Sequence, residues 1–161
     1  MRVLLVSPYS LSVFGGVQGQ VLGLARSLRE IGVDARVVSP CDGPPPEPGI
    51  ITVGPSTNFS SNGSVAPIAS GKSVARRTLE ARRVIEPDVI HLHEPLVPGP
   101  TQTLLLGADE PLVGTFHASY FGRFNPWYRM LRPPLKRWVS RLAIRTAVSD
   151  EAAALAELSF D

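Results

Sequence analysis

The chain of 161 residues has a single cysteine, Cys41, so it cannot form an intrachain disulfide. It also lacks a long apolar run and a charged-then-apolar leader, which disfavours membrane spanning and secretion. We therefore expect a protein of the reducing cytoplasm. The remaining composition, 43% hydrophobic and 19% charged, is ordinary for one globular domain with a single core.

Two common nucleotide-binding signatures are missing. The Gly-Lys-Ser sequence at 71–73 resembles the end of a Walker phosphate loop, but Ala66 occupies the position of its first glycine. The dinucleotide fingerprint needs a short turn directly after a strand, whereas Gly15, Gly16 and Gly19 follow a long loop. The sequence therefore disfavours a Walker site and nicotinamide binding.

A metal site is also disfavoured. His91 and His93 alternate on or just past a predicted strand, and such a pair can bind a metal ion. However, the chain has one cysteine and no third ligand at a recognisable spacing. We predict no metal ion, and we expect His91 to pack in the sheet.

Basic residues are unevenly distributed, although the formal net charge is only +2. No acidic residue lies between Glu110 and Asp150, and this region holds Arg123, Arg129, Arg132, Lys136, Arg137, Arg141 and Arg145. We expect one strongly basic face. Nucleic acid is not the expected partner, because no recognised reader motif accompanies the charge.

The hydrophobic period alternates between strand-like and helix-like along the chain. The run Val3 to Val6 predicts a strand, and apolar residues at helical spacing predict a helix that ends at Gly32. Further strands are predicted at 35–39, 50–53, 89–91, 112–115 and 146–148, and helices at 72–86 and 100–106. The alternation predicts an α/β fold, a Rossmann-like parallel sheet with helices on both faces.

Three other segments have specific expectations. The polar stretch 55–64 predicts a functional or mobile loop. Pro133 and Pro134 predict that the helical segment 126–145 is divided into two pieces. Ser149 is expected to cap a final helix with Asp150 and Glu151 in its first turn.

The opening of the chain is typical of an anion site. A strand is followed by Gly15 and Gly16 and then by the first turn of a helix. Adjacent glycines let the backbone approach a ligand, and the helix directs its unpaired N–H groups toward it. A phosphate or diphosphate would suit this site, and an ordinary tight turn is the alternative.

Several other polar segments should lie beside this turn, because ligands of doubly wound sheets bind beyond the carboxyl ends of the strands. Segments 9–18, 93–94, 117–119 and 149–150 all follow predicted strands. At the end of its strand, a neutral His117 could donate to a ligand oxygen, and an imidazolium could meet a phosphate. A purely structural role for His117 stays open at this point.

Five ordered blocks resemble a known family over the whole chain. They are Ser7-Pro8-Tyr9-Ser10 with Gly15-Gly16-Val17-Gln18, Asn62-Gly63-Ser64-Val65-Ala66, Asp88-Val89-Ile90-His91-Leu92-His93-Glu94-Pro95, Thr115-Phe116-His117, and Ala147-Val148-Ser149-Asp150. Together they resemble the amino-terminal half of retaining GT-B glycosyltransferases of family 4. Among these, the phosphatidylinositol mannosyltransferases are the most similar group.

The resemblance implies transfer of a sugar, with mannose expected, from a nucleotide sugar such as GDP-mannose to a phosphatidylinositol-like lipid or related polyol. No resident cofactor or metal is implied. Residues 1–161 would form one acceptor-binding domain, and a carboxyl-terminal domain absent from this chain would hold the donor nucleotide. Without that domain, the isolated chain should be nearly inactive.

The resemblance also assigns site residues. His117 would be catalytic, and Gly15 and Gly16 would lie near the donor diphosphate. The acceptor-binding residues would be Tyr9, Gln18, Asn62, Ser64, Ser119 and Arg123.

Three residues depart from the inositol-lipid pattern. Pro67 replaces an arginine, Ala118 replaces a threonine, and Ser12 replaces an acidic residue. Proline cannot make the charge-assisted hydrogen bonds that arginine gives a phosphodiester, so these departures weaken phosphate recognition. Arg123 could reach the same site, and the identity of the acceptor stays open.

A membrane surface is expected on the helix 72–86. Lys72, Arg76 and Arg83 share one face, opposite Val74, Ala81 and Ile85. The basic face could bind anionic lipid on the inner side of the plasma membrane, with Trp127 and Trp138 as interfacial anchors. A solvated basic face with core tryptophans is the alternative.

Two other function classes remain open: a non-catalytic sugar-phosphate binding module and a basic membrane adaptor.

Overall fold

A parallel β-sheet organises the computed structural model, which describes residues 1–61, 64–117 and 126–154; for 60, 61, 64, 65 and 126–132 only the backbone is described. The six strands are β1 (Arg2–Val6), β2 (Asp34–Ser39), β3 (Ile50–Thr52), β6 (Val89–His93), β7 (Leu112–Phe116) and β8 (Leu142–Ala147). Their order is β3-β2-β1-β6-β7-β8, and all five pairings are parallel. The predicted sheet is therefore confirmed.

Helix α1 (Gly16–Glu30) covers one face of the sheet. Its buried residues Val21 and Ala25 pack with Val3, Leu5 and other side chains of β1 and β2. The helix ends at the predicted glycine: Gly32 has φ +84°, and its N–H donates to Arg29 O. The next N–H, of Val33, donates to Leu28 O, which completes a Schellman motif.

The opposite face is covered by α2 (Lys72–Ile85), α3 (Pro100–Gly107) and α4 (Pro126–Val139). These helices contribute to the larger apolar core, in which Leu4, Ile90, Leu92 and Leu104 have no exposed surface. Helices thus lie on both faces of the sheet, as the sequence predicts.

The predicted division of segment 126–145 is wrong. Helix α4 continues through Pro133 and Pro134 to Val139, and β8 follows from Leu142. Both prolines are exposed, so their rings do not have to fit into the packed core. Because β8 starts four residues before the predicted 146–148, the helical part is also shorter than expected.

The predicted loop 55–64 is wrong as well. It contains strand β4 (Thr57–Ser61) and the first residue of β5 (Ser64–Ile68), which pair as an antiparallel hairpin. The hairpin is attached to the segment after β1: Tyr9 bridges to Ile68, and Ser10 N donates to Pro67 O at 2.8 Å. These contacts connect segments far apart in sequence, so local polarity gave no signal of them.

The predicted cap of the final helix is confirmed. Ala152 N donates to the Ser149 hydroxyl at 3.2 Å, and residues 150–154 are helical. Hydrogen bonds from its own backbone N–H and from Ser149 lower the pKa of the Glu151 carboxyl.

Candidate functional site

The candidate site lies where the strand order reverses, at the carboxyl ends of β1 and β6. From β1 the chain order proceeds outward through β2 and β3, and from β6 it proceeds the other way through β7 and β8. A crevice forms at such a reversal because the connections from the two strands leave toward opposite faces. The segment after Val6 and the His93-Glu94 pair both border this point.

Three histidines form the centre of the site. His91 and His93 lie on the same face of β6, with ring centroids 4.5 Å apart and planes inclined by 21°. The Nδ1 atom of His93 lies 2.9 Å from Nε2 of His117, the residue that follows β7. The strand register produces this contact, because His93 pairs with Thr115, two residues before His117.

Burial keeps all three imidazoles neutral near pH 7. Desolvation, followed by repulsion from His117, lowers the pKa of His91 to about 4. Desolvation, with repulsion from the two other histidines, lowers the pKa of His93 to about 3. Desolvation also lowers the pKa of His117. Neutral rings act as hydrogen-bond donors and acceptors rather than as phosphate-binding cations.

The expected packing of His91 in the sheet is found. Its Nε2 lies 2.6 Å from the Thr115 hydroxyl, which in turn lies 2.7 Å from the Thr146 hydroxyl. This row of side chains crosses β6, β7 and β8 on the face that carries His93. It fixes the ring against which His93 stacks.

Glu94 is a site residue whose role the sequence did not predict. It is only 2% exposed and has φ +53°, a left-handed conformation that is uncommon outside glycine. Its Oε1 accepts a 2.5 Å hydrogen bond from the backbone N–H of His117. Burial and the Glu94 charge raise the pKa of Tyr9 to about 12, so the Tyr9 phenol stays protonated as a donor.

The glycine turn follows β1, which is the neighbour of the histidine strand β6 in the sheet. Gly15 is the N-cap of α1 in extended conformation, and no side chain caps the helix. A Cβ on Gly15 would collide with the Gln18 side chain, whereas a Cβ on Gly16 would meet nothing within 4 Å. Gln18 is buried and donates from Nε2 to Ser10 O at 3.4 Å, so it connects the first turn of α1 to the segment that precedes the glycines.

Other predicted residues are only partly placed. Ser64 pairs with Ser61 where the two hairpin strands meet, and its side chain is not described. Asn62, Ser119 and Arg123 lie outside the described residues.

The α2 residues do not join this site. Lys72, Arg76 and Arg83 are exposed, whereas Val74 and Ala81 on the opposite side are buried in the core. The predicted two-sided pattern of α2 is therefore present. Trp138 packs partly against the core, and the Trp127 side chain is not described.

Within the described ranges, no group of three His, Cys, Asp or Glu side chains could hold a metal ion. No helix in the same ranges is long and apolar enough to cross a membrane.

Solved structures share the fold. Sucrose-phosphate synthase from Thermosynechococcus elongatus superposes with a TM-score of 0.64 at 11% identity, over 99% of this chain and 45% of that one. An alpha-glucosyltransferase in complex with UDP gives a TM-score of 0.54 at 16% identity, over 98% of this chain and 38% of that one.

Curated relatives carry the name phosphatidyl-myo-inositol mannosyltransferase. The Mycobacterium leprae protein is 35% identical over 152 residues, which cover 93% of this chain and 40% of that protein. The Propionibacterium freudenreichii protein is 36% identical over 171 residues, which cover 97% of this chain and 42% of that protein. The Mycolicibacterium smegmatis protein is 33% identical over 147 residues, which cover 89% of this chain and 38% of that protein. The chain thus spans about two fifths of the length of the relatives it matches.

The family description Glycosyltransferase Family 4 matches residues 14–158, nearly the whole chain. The match includes the glycine turn, the histidine strand β6 and His117, the parts that meet at the strand-order reversal. This chain belongs to Glycosyltransferase Family 4.

Proposed function

We propose that the complete protein transfers mannose from GDP-mannose to a phosphatidylinositol-like lipid, with retention of configuration, and that this chain is its acceptor-binding domain. The observation that carries the proposal is that Glu94 connects His117 to Tyr9 in a family 4 domain: its carboxylate accepts from the His117 backbone N–H, and its charge acts with burial to raise the pKa of Tyr9. The relatives named phosphatidyl-myo-inositol mannosyltransferase supply the substrate class.

In this proposal His117 is the catalytic residue of the domain. Transfer breaks the bond between the sugar anomeric carbon and the diphosphate oxygen, and it forms a bond from that carbon to an acceptor oxygen. The acceptor proton leaves with the diphosphate. A neutral His117 donates a hydrogen bond to a sugar oxygen, where charge develops as the first bond breaks. The half-buried setting strengthens that hydrogen bond because it excludes water.

Gly15 and Gly16 hold the donor diphosphate. The first-turn N–H groups of α1 have no side-chain cap, so they are available to an anion. Open space around Gly16 lets a diphosphate oxygen approach the backbone closely. The remaining nucleotide contacts belong to the carboxyl-terminal domain of the complete protein.

The acceptor headgroup binds on the hairpin side of the crevice. The Tyr9 phenol donates to a ring hydroxyl, and the family resemblance adds Ser64, Asn62, Ser119 and Arg123 as acceptor-binding residues. Gln18 supports them by holding the turn at Ser10. Since Pro67 stands on β5 beside Ser10, headgroup phosphate recognition falls to Arg123.

The exposed cations of α2 hold the domain on anionic lipid, which brings the acceptor to the crevice. Lys72, Arg76 and Arg83 project away from the apolar side of α2 that packs on the sheet. Each cation near an anionic surface contributes about 1 kcal/mol. The protein would then work at the inner face of the plasma membrane.

A transfer assay with the complete protein tests this function. We expect mannosylated lipid, detected by mass spectrometry, from GDP-mannose and vesicles containing phosphatidylinositol. UDP-glucose in place of GDP-mannose and phosphatidylcholine vesicles serve as substrate controls. Hydrolysis of GDP-mannose without a lipid product, or saturable donor binding with no turnover, would contradict the proposal and favour a non-catalytic binding module.

A further inference from the structure

The hydrogen bond between His93 and His117 requires that one ring donates and the other accepts. A neutral imidazole carries one proton, on either Nδ1 or Nε2. The two atoms that meet are His93 Nδ1 and His117 Nε2, 2.9 Å apart. If His93 donates, the His117 proton lies on Nδ1; if His117 donates, the His93 proton lies on Nε2.

The surroundings of His93 Nε2 distinguish these arrangements. This atom is buried, and among the described residues it has no hydrogen-bond partner. A proton on it would be a buried N–H without an acceptor. Buried donors without acceptors are rarer in proteins than under-used acceptors, because the donor keeps the full cost of losing water. This cost favours the arrangement in which His93 carries its proton on Nδ1.

We propose that His93 is a positioning residue that donates from Nδ1 to His117 Nε2 and so fixes the His117 proton on Nδ1. Across the described residues no hydrogen bond engages His117 Nδ1, so this N–H is the one presented to a ligand oxygen. Stacking on His91 holds the His93 ring, and the Glu94 carboxylate holds the backbone of His117. The consequence for catalysis rests on the proposed function, whereas the proton position does not.

Nitrogen NMR on the complete protein tests the proton position without any substrate. Labelling histidine with ¹⁵N distinguishes protonated from bare ring nitrogens, and a His117→Gln spectrum identifies the His117 signals by their loss. We expect His117 to be protonated at Nδ1 and bare at Nε2 near pH 7. A His117 ring protonated at Nε2 would overturn the proposal.

Two substitutions test the dependence on His93. His93→Leu removes the donor, so His117 should populate both tautomers, and kcat should fall by about 10- to 100-fold with little change in KM for the donor. His93→Asn retains a side-chain N–H at a similar distance from the backbone, so it should restore the Nδ1 tautomer and most of kcat. An unchanged tautomer in His93→Leu would overturn the proposal.

The readouts separate failure of this inference from failure of the proposed function. If no mannose is transferred but His117 is protonated at Nδ1, the proton assignment stands and the substrate assignment fails. If mannose is transferred but His117 is protonated at Nε2, the substrate assignment stands and the proton assignment fails. Thermal unfolding of both His93 variants shows whether either has lost its fold, and the wild-type spectrum decides the proton position even if one has.

Discussion

The Ser10 hydroxyl donates a 2.6 Å hydrogen bond to Asp42 Oδ2, which connects the segment after β1 to the segment after β2. The same carboxylate accepts from the backbone N–H of Ser56 at 2.6 Å and from its hydroxyl at 2.8 Å. These hydrogen bonds lower the pKa of Asp42. Asp42 therefore holds together the glycine-turn segment and the chain that enters the β4–β5 hairpin.

Asp42→Ala should loosen the hairpin. Because three hydrogen bonds to one carboxylate are lost at an exposed site, we expect the free energy of unfolding to fall by about 1 kcal/mol. Hydrogen exchange should accelerate in β4 and β5, and KM for the lipid acceptor should rise. The control is Asp34→Ala, which removes only the exposed ion pair with Arg36. Unchanged exchange in the hairpin would show that Asp42 does not anchor it.

Gly16→Ala should stabilise the fold and impair the enzyme. Replacing a helical glycine with alanine stabilises by up to about 1 kcal/mol where the space is open, as it is at Gly16. The new methyl group would occupy the approach of a diphosphate, so KM for GDP-mannose should rise. Gly23→Ala in the same helix, also in open space, should stabilise similarly without changing KM. Equal KM values for the two variants would move the donor site away from this turn.

His117→Ala should lower kcat by about 10²- to 10³-fold, the usual effect of removing one donor to developing charge. The ring is partly exposed and lies outside the apolar core, so circular dichroism of the variant should match the wild type. Ser140→Ala should leave kcat unchanged, because Ser140 lies between α4 and the amino end of β8, whereas His117 follows the carboxyl end of β7. Near-normal transfer by His117→Ala would remove this residue from the site.

The regular part of the fold was predictable, and the hairpin was not. Strand β1 is an uninterrupted apolar run, and α1 has helical apolar spacing with a stop at Gly32, so local pattern suffices. Strand β4 has the polar sequence Thr-Asn-Phe-Ser-Ser, and Phe59 is 58% exposed, so no buried alternation marks it. Contacts with Tyr9 and Ser10, nearly 60 residues away in sequence, hold the hairpin.

The candidate site also has a part that the sequence predicted and a part that it could not. Because carboxyl ends of parallel strands meet at one edge, the sequence predicted that His93, Glu94 and His117 would lie near one another. It could not predict which ring nitrogens of His93 and His117 meet, since that depends on strand register and rotamers. Nor could it predict the Asp42 contacts, because a lone aspartate in a segment rich in proline and glycine is typical of any turn.

Mild acid should destabilise the chain through its buried histidines. The pKa values of His91 and His93, about 4 and about 3, lie below the unfolded value of about 6.5, so below pH 6.5 the unfolded state binds protons that the native state does not. Stability is therefore complete above pH 6.5 and falls as pH decreases. From pH 7 to 5.5 the loss should be about 1 kcal/mol for each of these rings. Urea unfolding at several pH values measures this loss in the free energy of unfolding. The double variant His91→Asn, His93→Asn should lose less stability between pH 7 and 5.5. An equal loss in the variant and the wild type would contradict the lowered pKa values of the two histidines.

Removing positive charge from α2 should weaken vesicle binding more than removing it from α1 and β2. The variant Lys72→Gln, Arg76→Gln loses two exposed cations, and Arg26→Gln, Arg36→Gln loses two others that are at least 49% exposed. Glutamine retains good helix propensity, so α2 should persist.

If α2 lies on anionic lipid, its variant should bind phosphatidylinositol-containing vesicles about 30-fold more weakly, since each lost cation contributes about 1 kcal/mol. The difference should shrink at 0.5 M salt, because screening at about 4 Å shortens the reach of surface charge. Vesicle sedimentation measures both effects in the complete protein. Equal weakening in the two variants would mean that net charge, rather than the α2 face, governs binding, and the membrane surface would have to be sought on the basic segment that includes α4.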